Sequence, residues 1–229
     1  KFSIKIKDGE NKCMYTQEWT DNMKTCGTPK IKKYSSATSS VSITFVPDWK
    51  RFGMSKMDDS IYKIFEKRVY DANICTSQNC KVKFQGEPLP KSTFTTYAKM
   101  YTKMDEMCTF TSDRWSVCIA PSDDGFEHVS FVNGICTTKG GSHVDHVSGI
   151  LANGIIEDMA KKIKLRPQQV KNAFFVCVKA TLVNPSFSSQ VKSECTLKPQ
   201  DFGSKFEPPK TFIKTILKTS IQSELMALS

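Results

Sequence analysis

The sequence has no apolar run approaching the length of a membrane span, and no signal peptide opens it as given, so neither a helical membrane protein nor a secreted one is expected. It has no C-x-x-C pair. Cys75 and Cys80 stand too far apart for a zinc knuckle, and His143 and His146, three apart, have no third ligand near them in sequence. No metal site is therefore expected. There is no G-x-x-x-x-G-K-[ST] phosphate loop, which leaves Lys139-Gly140-Gly141-Ser142 as a stretch whose glycines free the backbone ahead of a helix. No kinase catalytic loop precedes Asp201-Phe202-Gly203, so that triplet is not a kinase motif.

What remains is a chain of 229 residues, 39% hydrophobic and 24% charged, the balance of a soluble globular protein. That length can bury a substantial core as one large domain or two small ones. A net charge of +10 points to acidic partners such as nucleic acid or nucleotide. Nine cysteines scattered singly suggest reduced thiols and an intracellular home.

The chain opens in a strand, since Phe2-Ser3-Ile4-Lys5-Ile6 alternates, Asp8-Gly9 signals a hairpin and residues 12–19 read as the returning strand. That abrupt start leads us to expect a piece of a longer protein. Residues 41–46 form another strand, closed by Pro47-Asp48. Between residues 57 and 73, Ile61, Ile64, Phe65 and Val69 make one helical stripe, with Lys63, Lys67 and Arg68 outside it. Residues 80–84 read as a short strand ended by Gln85-Gly86, and the turn bracketed by Pro88 and Pro90 is the expected domain boundary.

Beyond it, residues 94–107 mix helical spacing with lysines, residues 114–119 read as a strand, and residues 126–132 alternate as the next. A helix is expected over residues 143–162, with Val144, Val147, Leu151, Ile155 and Met159 on one face. Ser142 should cap it, with Asp145 at N3. The four cations that follow, Lys161, Lys162, Lys164 and Arg166, suit a solvated helix end favoured by the dipole. Residues 173–182, rich in Phe and Val, read as a buried strand that Asn184-Pro185 stops. A polar loop then runs to Gln190-Val191-Lys192, where an isolated lysine is ordinarily just solvated. Residues 208–228 form an amphipathic helix with Phe212, Ile213, Ile216, Leu217, Ile221 and Leu225 apolar.

Several words along nearly the whole chain resemble the type IIA DNA topoisomerases of the eukaryotic and viral kind. In the first part they are Q-E-W-T-D-N-M (residues 17–23), I-T-F-V-P-D-W-K-R-F-G-M (43–54) and R-V-Y-D (68–71). In the second they are F-V-N-G-I-C-T-T-K-G-G-S-H-V (131–144) and N-P-S-F-S-S-Q-V-K (184–192), where the family writes N-P-x-F-x-S-Q-T-K. The divergences look most like enzymes of large cytoplasmic DNA viruses.

The resemblance implies an α+β fold: the closing half of a GHKL ATPase domain over residues 1–90, then a transducer domain over 91–229 with a left-handed βαβ crossover. General packing rules would have favoured the right-handed crossover. It implies that Gln190 and Lys192 reach the γ-phosphate of ATP and that Lys192 is the catalytic cation. The family's Thr is Val191 here, leaving only a backbone contact at that position. The family's adenine-side hydroxyl falls on Val41, between Ser40 and Ser42, so that contact is not transferred.

Lys161, Lys162, Lys164 and Arg166 stand where related enzymes carry a longer lysine-rich loop that contacts DNA. The family's Asn-bearing Mg²⁺-binding helix, adenine-contacting Asp and glycine-rich lid belong upstream of Lys1, and its breakage tyrosine downstream. This piece alone is therefore not expected to hydrolyse ATP, and Mg²⁺ would have no ligands in it.

The implied parent is an ATP-hydrolysing homodimer that passes one DNA duplex through another, with no membrane partner. It would work in the host cytoplasm if viral and in the nucleus if cellular. A non-enzymatic basic scaffold that binds nucleic acid would fit the charge and the thiols equally well, but it gives no reason for the N-P-S-F-S-S-Q-V-K loop.

Overall fold

The computed structural model describes residues 1–77, 79–102 and 105–228. The chain packs as two compact units, residues 1–64 and 65–229. The division falls within a helix, ahead of the proline-bracketed turn at residues 88–90.

The first unit is an antiparallel sheet. Strand β1 (Phe2–Asp8) pairs with β2 (Cys13–Thr20), placing Phe2 opposite Trp19, and on its other side with β5 (Ser40–Phe45). Strands β3 (Thr25–Cys26) and β4 (Lys30–Lys33) both pair with β2. The Asp8-Gly9 hairpin forms because the Asp8 carboxylate accepts from the amides of Glu10 and Asn11 at 3.0 and 2.9 Å. Those bonds, the Asn11 side chain's foremost, hold its pKa below the usual carboxylate value. Every residue of β5 is exposed, and no side chain of this unit is buried.

Helix α1 (Asp59–Cys75) begins in the first unit and ends in the second. The expected stripe is not its buried face: Ile64 is 53% exposed and Phe65 39%. Instead Asp71 and Ile74, in its last turns, are buried. Asp71 accepts from the Tyr97 hydroxyl at 2.6 Å and from the Lys67 ammonium at 2.9 Å. Burial, with the Asp71 bond second, pushes the Tyr97 hydroxyl's pKa upward. A carboxylate can go below the surface here because it is paired.

After α1, β6 (Lys83–Phe84) and β7 (Glu87–Pro88) form a two-residue hairpin around Gln85 and Gly86, both with positive φ. Helix α2 is only Phe94–Ala98, shorter than the helical spacing of residues 94–107 suggests, and Lys103 and Met104 of that stretch lie outside the described residues. The main sheet has strand order β11-β10-β12-β9-β8. Its strands are β8 (Cys108–Thr111), β9 (Trp115–Pro121), β10 (Glu127–Val132), β11 (Ile135–Cys136) and β12 (Phe174–Ala180). Strands β10 and β12 are parallel, joined through α3 (Ser142–Met159) and α4 (Pro167–Asn172), while β9 runs antiparallel to β12.

Both faces of β12 are covered. Phe174, Val176, Val178 and Ala180 enter the larger core with α3, while Phe175 and Cys177 enter the smaller one with Tyr97 and Ile74. That explains a nearly continuous apolar run in place of alternation. The stripe Val144, Val147, Leu151, Ile155 and Met159 is buried as its spacing predicts. The expected C-terminal helix is two helices, α5 (Lys210–Ile216) and α6 (Ser220–Met226). Thr219 breaks it, its hydroxyl donating to the Ile216 carbonyl and accepting from the Ile221 amide as the cap of α6. All six apolar positions predicted on this segment are nonetheless buried.

Leu151 is fully buried in the larger core. Leu151→Ala should destabilise the second unit by about 2–5 kcal/mol, the cost of lost transfer energy plus a cavity. Urea unfolding followed by circular dichroism would show it, and a midpoint matching the parent would contradict this account of the core.

Candidate functional site

The loop that carries Gln190, Val191 and Lys192 leaves the end of β12 under tight control. The Asn133 side chain donates to the Leu182 carbonyl at 2.9 Å and accepts from the Leu182 amide at 2.8 Å. Asn184 then takes a positive φ of 44°, which asparagine tolerates better than most residues, and Pro185 extends the chain. The loop folds back on itself. The Thr196 amide donates to Ser186, the Ser188 amide donates to Glu194, and Phe187 faces Cys195.

At its tip the Lys192 amide donates to the Ser189 carbonyl at 2.9 Å, closing a four-residue turn. Gln190 and Val191 occupy the middle of that turn and are exposed, Val191 at 81%. Lys192 has a positive φ of 58°, and its ammonium lies 5.8 Å from the Phe187 ring centroid. Cation–π contact therefore gives the ammonium a preferred place on an otherwise solvated loop. No carboxylate occurs between residues 184 and 193. One ammonium and one carboxamide at the tip fit a phosphate in charge and donor type.

The descending arm of the loop is clamped to the start of α3. The Cys195 amide donates to Gly140 at 3.0 Å, the Ser142 amide donates to Cys195 at 2.9 Å, and the Lys139 amide donates to Ser193 at 2.9 Å. Gly141 has a φ of 117°, and a Cβ there would sit 2.1 Å from the Cys195 oxygen. The Gly-Gly pair thus serves close backbone approach as much as freedom ahead of a helix. The expected cap is corrected in the same place. Gly141 is the N-cap, and the Ser142 hydroxyl donates to the Leu197 carbonyl, because the loop presents a carbonyl there; Asp145 remains in the first turn.

Beneath the clamp lies a buried polar chain. Ser130 and Thr137 share a hydroxyl contact at 2.6 Å, and the Thr137 hydroxyl stands 3.1 Å from His143 Nε2. His143 Nδ1 is buried and, among the described residues, has no hydrogen-bond partner. Burial, with the nearby His128 second, pulls the His143 pKa down to about 3.

The other predicted residues gather at the far end of α3. Lys161 and Lys162 turn off the helix, the Lys162 amide donating to Met159, and Lys164 and Arg166 follow in extended chain. All four are exposed, while Leu165 between them is buried and Ile163 is half-buried. The alternation anchors the segment by its apolar residues and turns the cations outward. Among the described residues, none of the four has a carboxylate within 4.0 Å. The structure does not join this cluster to Gln190 and Lys192, since α3, about 27 Å long at 1.5 Å per residue, separates the two anchor points. Sequence reasoning missed the Asn133 clamp, which joins residues 49 apart, and the Phe187 contact and His143 chain, which join residues five to seven apart but carry no periodic signal.

A buried core strand thus feeds a polar loop that is clamped to a long helix, with cations at that helix's other end. The family model described as DNA gyrase B matches residues 83–201. The chain is 37% identical to the DNA topoisomerase 2 of Penicillium chrysogenum, over 98% of this chain and 15% of that protein. It is 36% identical to the DNA topoisomerase 2 of Acanthamoeba polyphaga mimivirus, over 99% of this chain and 18% of that one. Among solved structures it superposes on the ATPase region of Saccharomyces cerevisiae topoisomerase II with a TM-score of 0.93 at 33% identity, covering 99% of this chain and 60% of that one. A structure of the ATPase and transducer domains of DNA topoisomerase II from Balamuthia mandrillaris gives 0.91 at 30% identity, with the same coverage. The chain belongs to the DNA gyrase B family, and it spans less than a fifth of the length of the Penicillium and mimivirus proteins.

The buried histidine carries a pH signature. The unfolded chain takes up the proton near pH 6.5, whereas folded His143 stays neutral down to about pH 3. Through that window the unfolded state binds more protons, so stability falls as pH falls. Wild type should lose stability between pH 7 and pH 5 more steeply than His143→Gln, the difference approaching about 1.4 kcal/mol per pH unit below the unfolded pKa. Urea midpoints at both pH values decide it, and parallel curves would remove His143 from the account.

Proposed function

We propose that this chain is the coupling segment of an ATP-dependent type II DNA topoisomerase, linking the state of bound nucleotide to the passage of one duplex through another. The observation that carries the reading is the clamp between the Gln190–Lys192 loop and the first turn of α3, together with the exposed cations that follow its last turn. Residues 1–90 then close a GHKL ATPase domain and residues 91–229 form the transducer. A first sheet with no buried side chain supports its reading as one side of a larger domain. Two copies work as a homodimeric clamp, in a host cytoplasmic factory if the source is viral and in the nucleus if it is cellular.

Bound ATP, with Mg²⁺ held by other parts of the enzyme, supplies the free energy of phosphoryl transfer to water. The Lys192 ammonium sits on the terminal phosphate and meets the charge that grows on its oxygens, where a fixed cation is most useful. Gln190 donates through its carboxamide. Val191, lacking the relatives' hydroxyl, offers its backbone alone. Because residues 193–195 are hydrogen-bonded to residues 139–142, movement of the loop reaches α3 directly. The helix carries that movement to Lys161, Lys162, Lys164 and Arg166, which hold phosphates of the duplex awaiting transport.

Lys192→Ala in the full-length enzyme should lower ATP turnover and strand passage by about one to several orders of magnitude. Folding should be nearly unchanged, because the side chain is on a loop. Gln190→Ala should act in the same direction but more weakly. Wild-type ATPase rates in Lys192→Ala would end the nucleotide assignment.

Neutralising Lys161, Lys162, Lys164 and Arg166 together should weaken duplex binding and flatten its salt dependence. Each lost phosphate contact should remove about 0.9 from the slope of log K against log salt. ATPase activity without DNA should survive, and its stimulation by DNA should fall. Equal slopes for the wild type and the fourfold variant would leave the cluster as a solvated helix end.

A further inference from the structure

One charged side chain lies in a place that the coupling role does not explain. Lys179 is the only ionic residue of β12, whose other residues are all buried, and it stands half-buried near the strand's carboxyl end. An ammonium there is costly unless its donors are used. Its Nζ donates to the Ile74 carbonyl at 3.4 Å and lies 5.5 Å from the Phe94 ring centroid. Among the described residues no carboxylate comes within 4.0 Å of it.

Lys179 lines a cleft of about 410 Å³ together with Arg114, Asp113, Cys75 and the Asn133-Gly134 turn. Arg114 is exposed and likewise has no carboxylate within 4.0 Å among the described residues. Burial pushes the Cys75 thiol up to about 11, so it adds no charge at neutral pH. Two cations therefore face one carboxylate. A second hollow of about 440 Å³ shares Asp113, Arg114 and Trp115 with the first and adds Lys205. The two backbones that bracket the first cleft follow directly from the parallel strands β10 and β12, whose pairing ends at Val132 and Ala180. In sheets with parallel strands, ligands collect at the carboxyl ends of those strands, where turns leave room and backbone groups converge.

We propose that the Arg114–Lys179 cleft is a second anion site, for a phosphate group, separate from the Lys192 loop. A tetrahedral phosphate offers oxygens in several directions, so a guanidinium fork on one wall and an ammonium on the other can both reach it. A nucleic-acid backbone and a free polyphosphate present the same group, and the measurement separates them. The site requires nothing of the nucleotide role assigned to Lys192.

The test titrates the whole 229-residue chain with inorganic pyrophosphate by calorimetry and with a short fluorescent duplex by anisotropy, for wild type, Arg114→Gln and Lys179→Met. Arg114 is exposed, so its variant should keep the fold even if Lys179→Met does not, with a thermal midpoint matching wild type. We expect each variant to weaken binding by about tenfold, the loss of one charge-assisted contact. Weakening seen with pyrophosphate assigns a free polyphosphate. Weakening seen only with the duplex, with a shallower salt slope, assigns the nucleic-acid backbone. Absence of binding by wild type, or Arg114→Gln binding both probes as wild type does, overturns the site.

Discussion

Strand β12 loses water on both faces, and the second unit is built around satisfying that demand. A strand buried on two sides needs partners along both edges for its amides and carbonyls, which β10 and β9 supply. It also needs a layer above and a layer below. Helix α3 with α5 and α6 provides one, and α2 with the last turns of α1 provides the other. Each residue fully removed from water contributes on the order of 1.5–3 kcal/mol before conformational entropy is counted, so this strand and its neighbours dominate the unit's stability. The loop at the end of β12 inherits a rigid origin from this arrangement.

Rigidity at the origin matters because the loop tip itself has little to hold it. Gln190 and Val191 are exposed, and Lys192 is steadied by one ring and one turn. What prevents free movement is the second attachment, at Cys195, where backbone pairs with backbone across Gly140 and Gly141. A segment fixed at two ends by hydrogen bonds transmits displacement better than one fixed by a single end. Polar groups beneath that attachment are neutral: the Ser130–Thr137–His143 chain carries no charge near pH 7, so it adds rigidity without a field that would compete with phosphate.

The electrostatics divide along the same lines. Cations that serve solvent-facing roles, Lys161 to Arg166, stand outward between apolar anchors, and the excess of +10 is free to draw in polyanions. Buried charge is treated differently at two points. Asp71 is surrounded by Tyr97, Lys67 and Arg68 and is satisfied in place. Half-buried Lys179 has a carbonyl and a ring but, among the described residues, no carboxylate within 4.0 Å, an imbalance that a bound anion would remove.

Much of this was legible in the residues. The run Phe174 to Ala180 announced a buried strand, the spacing of Val144, Val147, Leu151, Ile155 and Met159 announced the helix face, and the words N-P-S-F-S-S-Q-V-K and F-V-N-G-I pointed to the family. These features are local: a period, a turn dipeptide or a motif states what a few neighbouring residues prefer.

Local preference misled where another segment supplied a stronger partner. Ser142 looks like a cap, but a carbonyl 55 residues away takes its hydroxyl. The apolar stripe of α1 looks like core, but the paired Asp71 and Ile74 are what is buried. The C-terminal segment has an unbroken apolar rhythm, yet Thr219 turns it into two helices. The sequence by itself determined the core strand β12 and the buried face of α3, because backbone geometry and side-chain period are properties of short stretches. Only the tertiary structure decided that Gly141 must lie against Cys195 and that Arg114 and Lys179 share one cleft, because those meetings depend on how distant segments pack and leave no periodic mark in the chain.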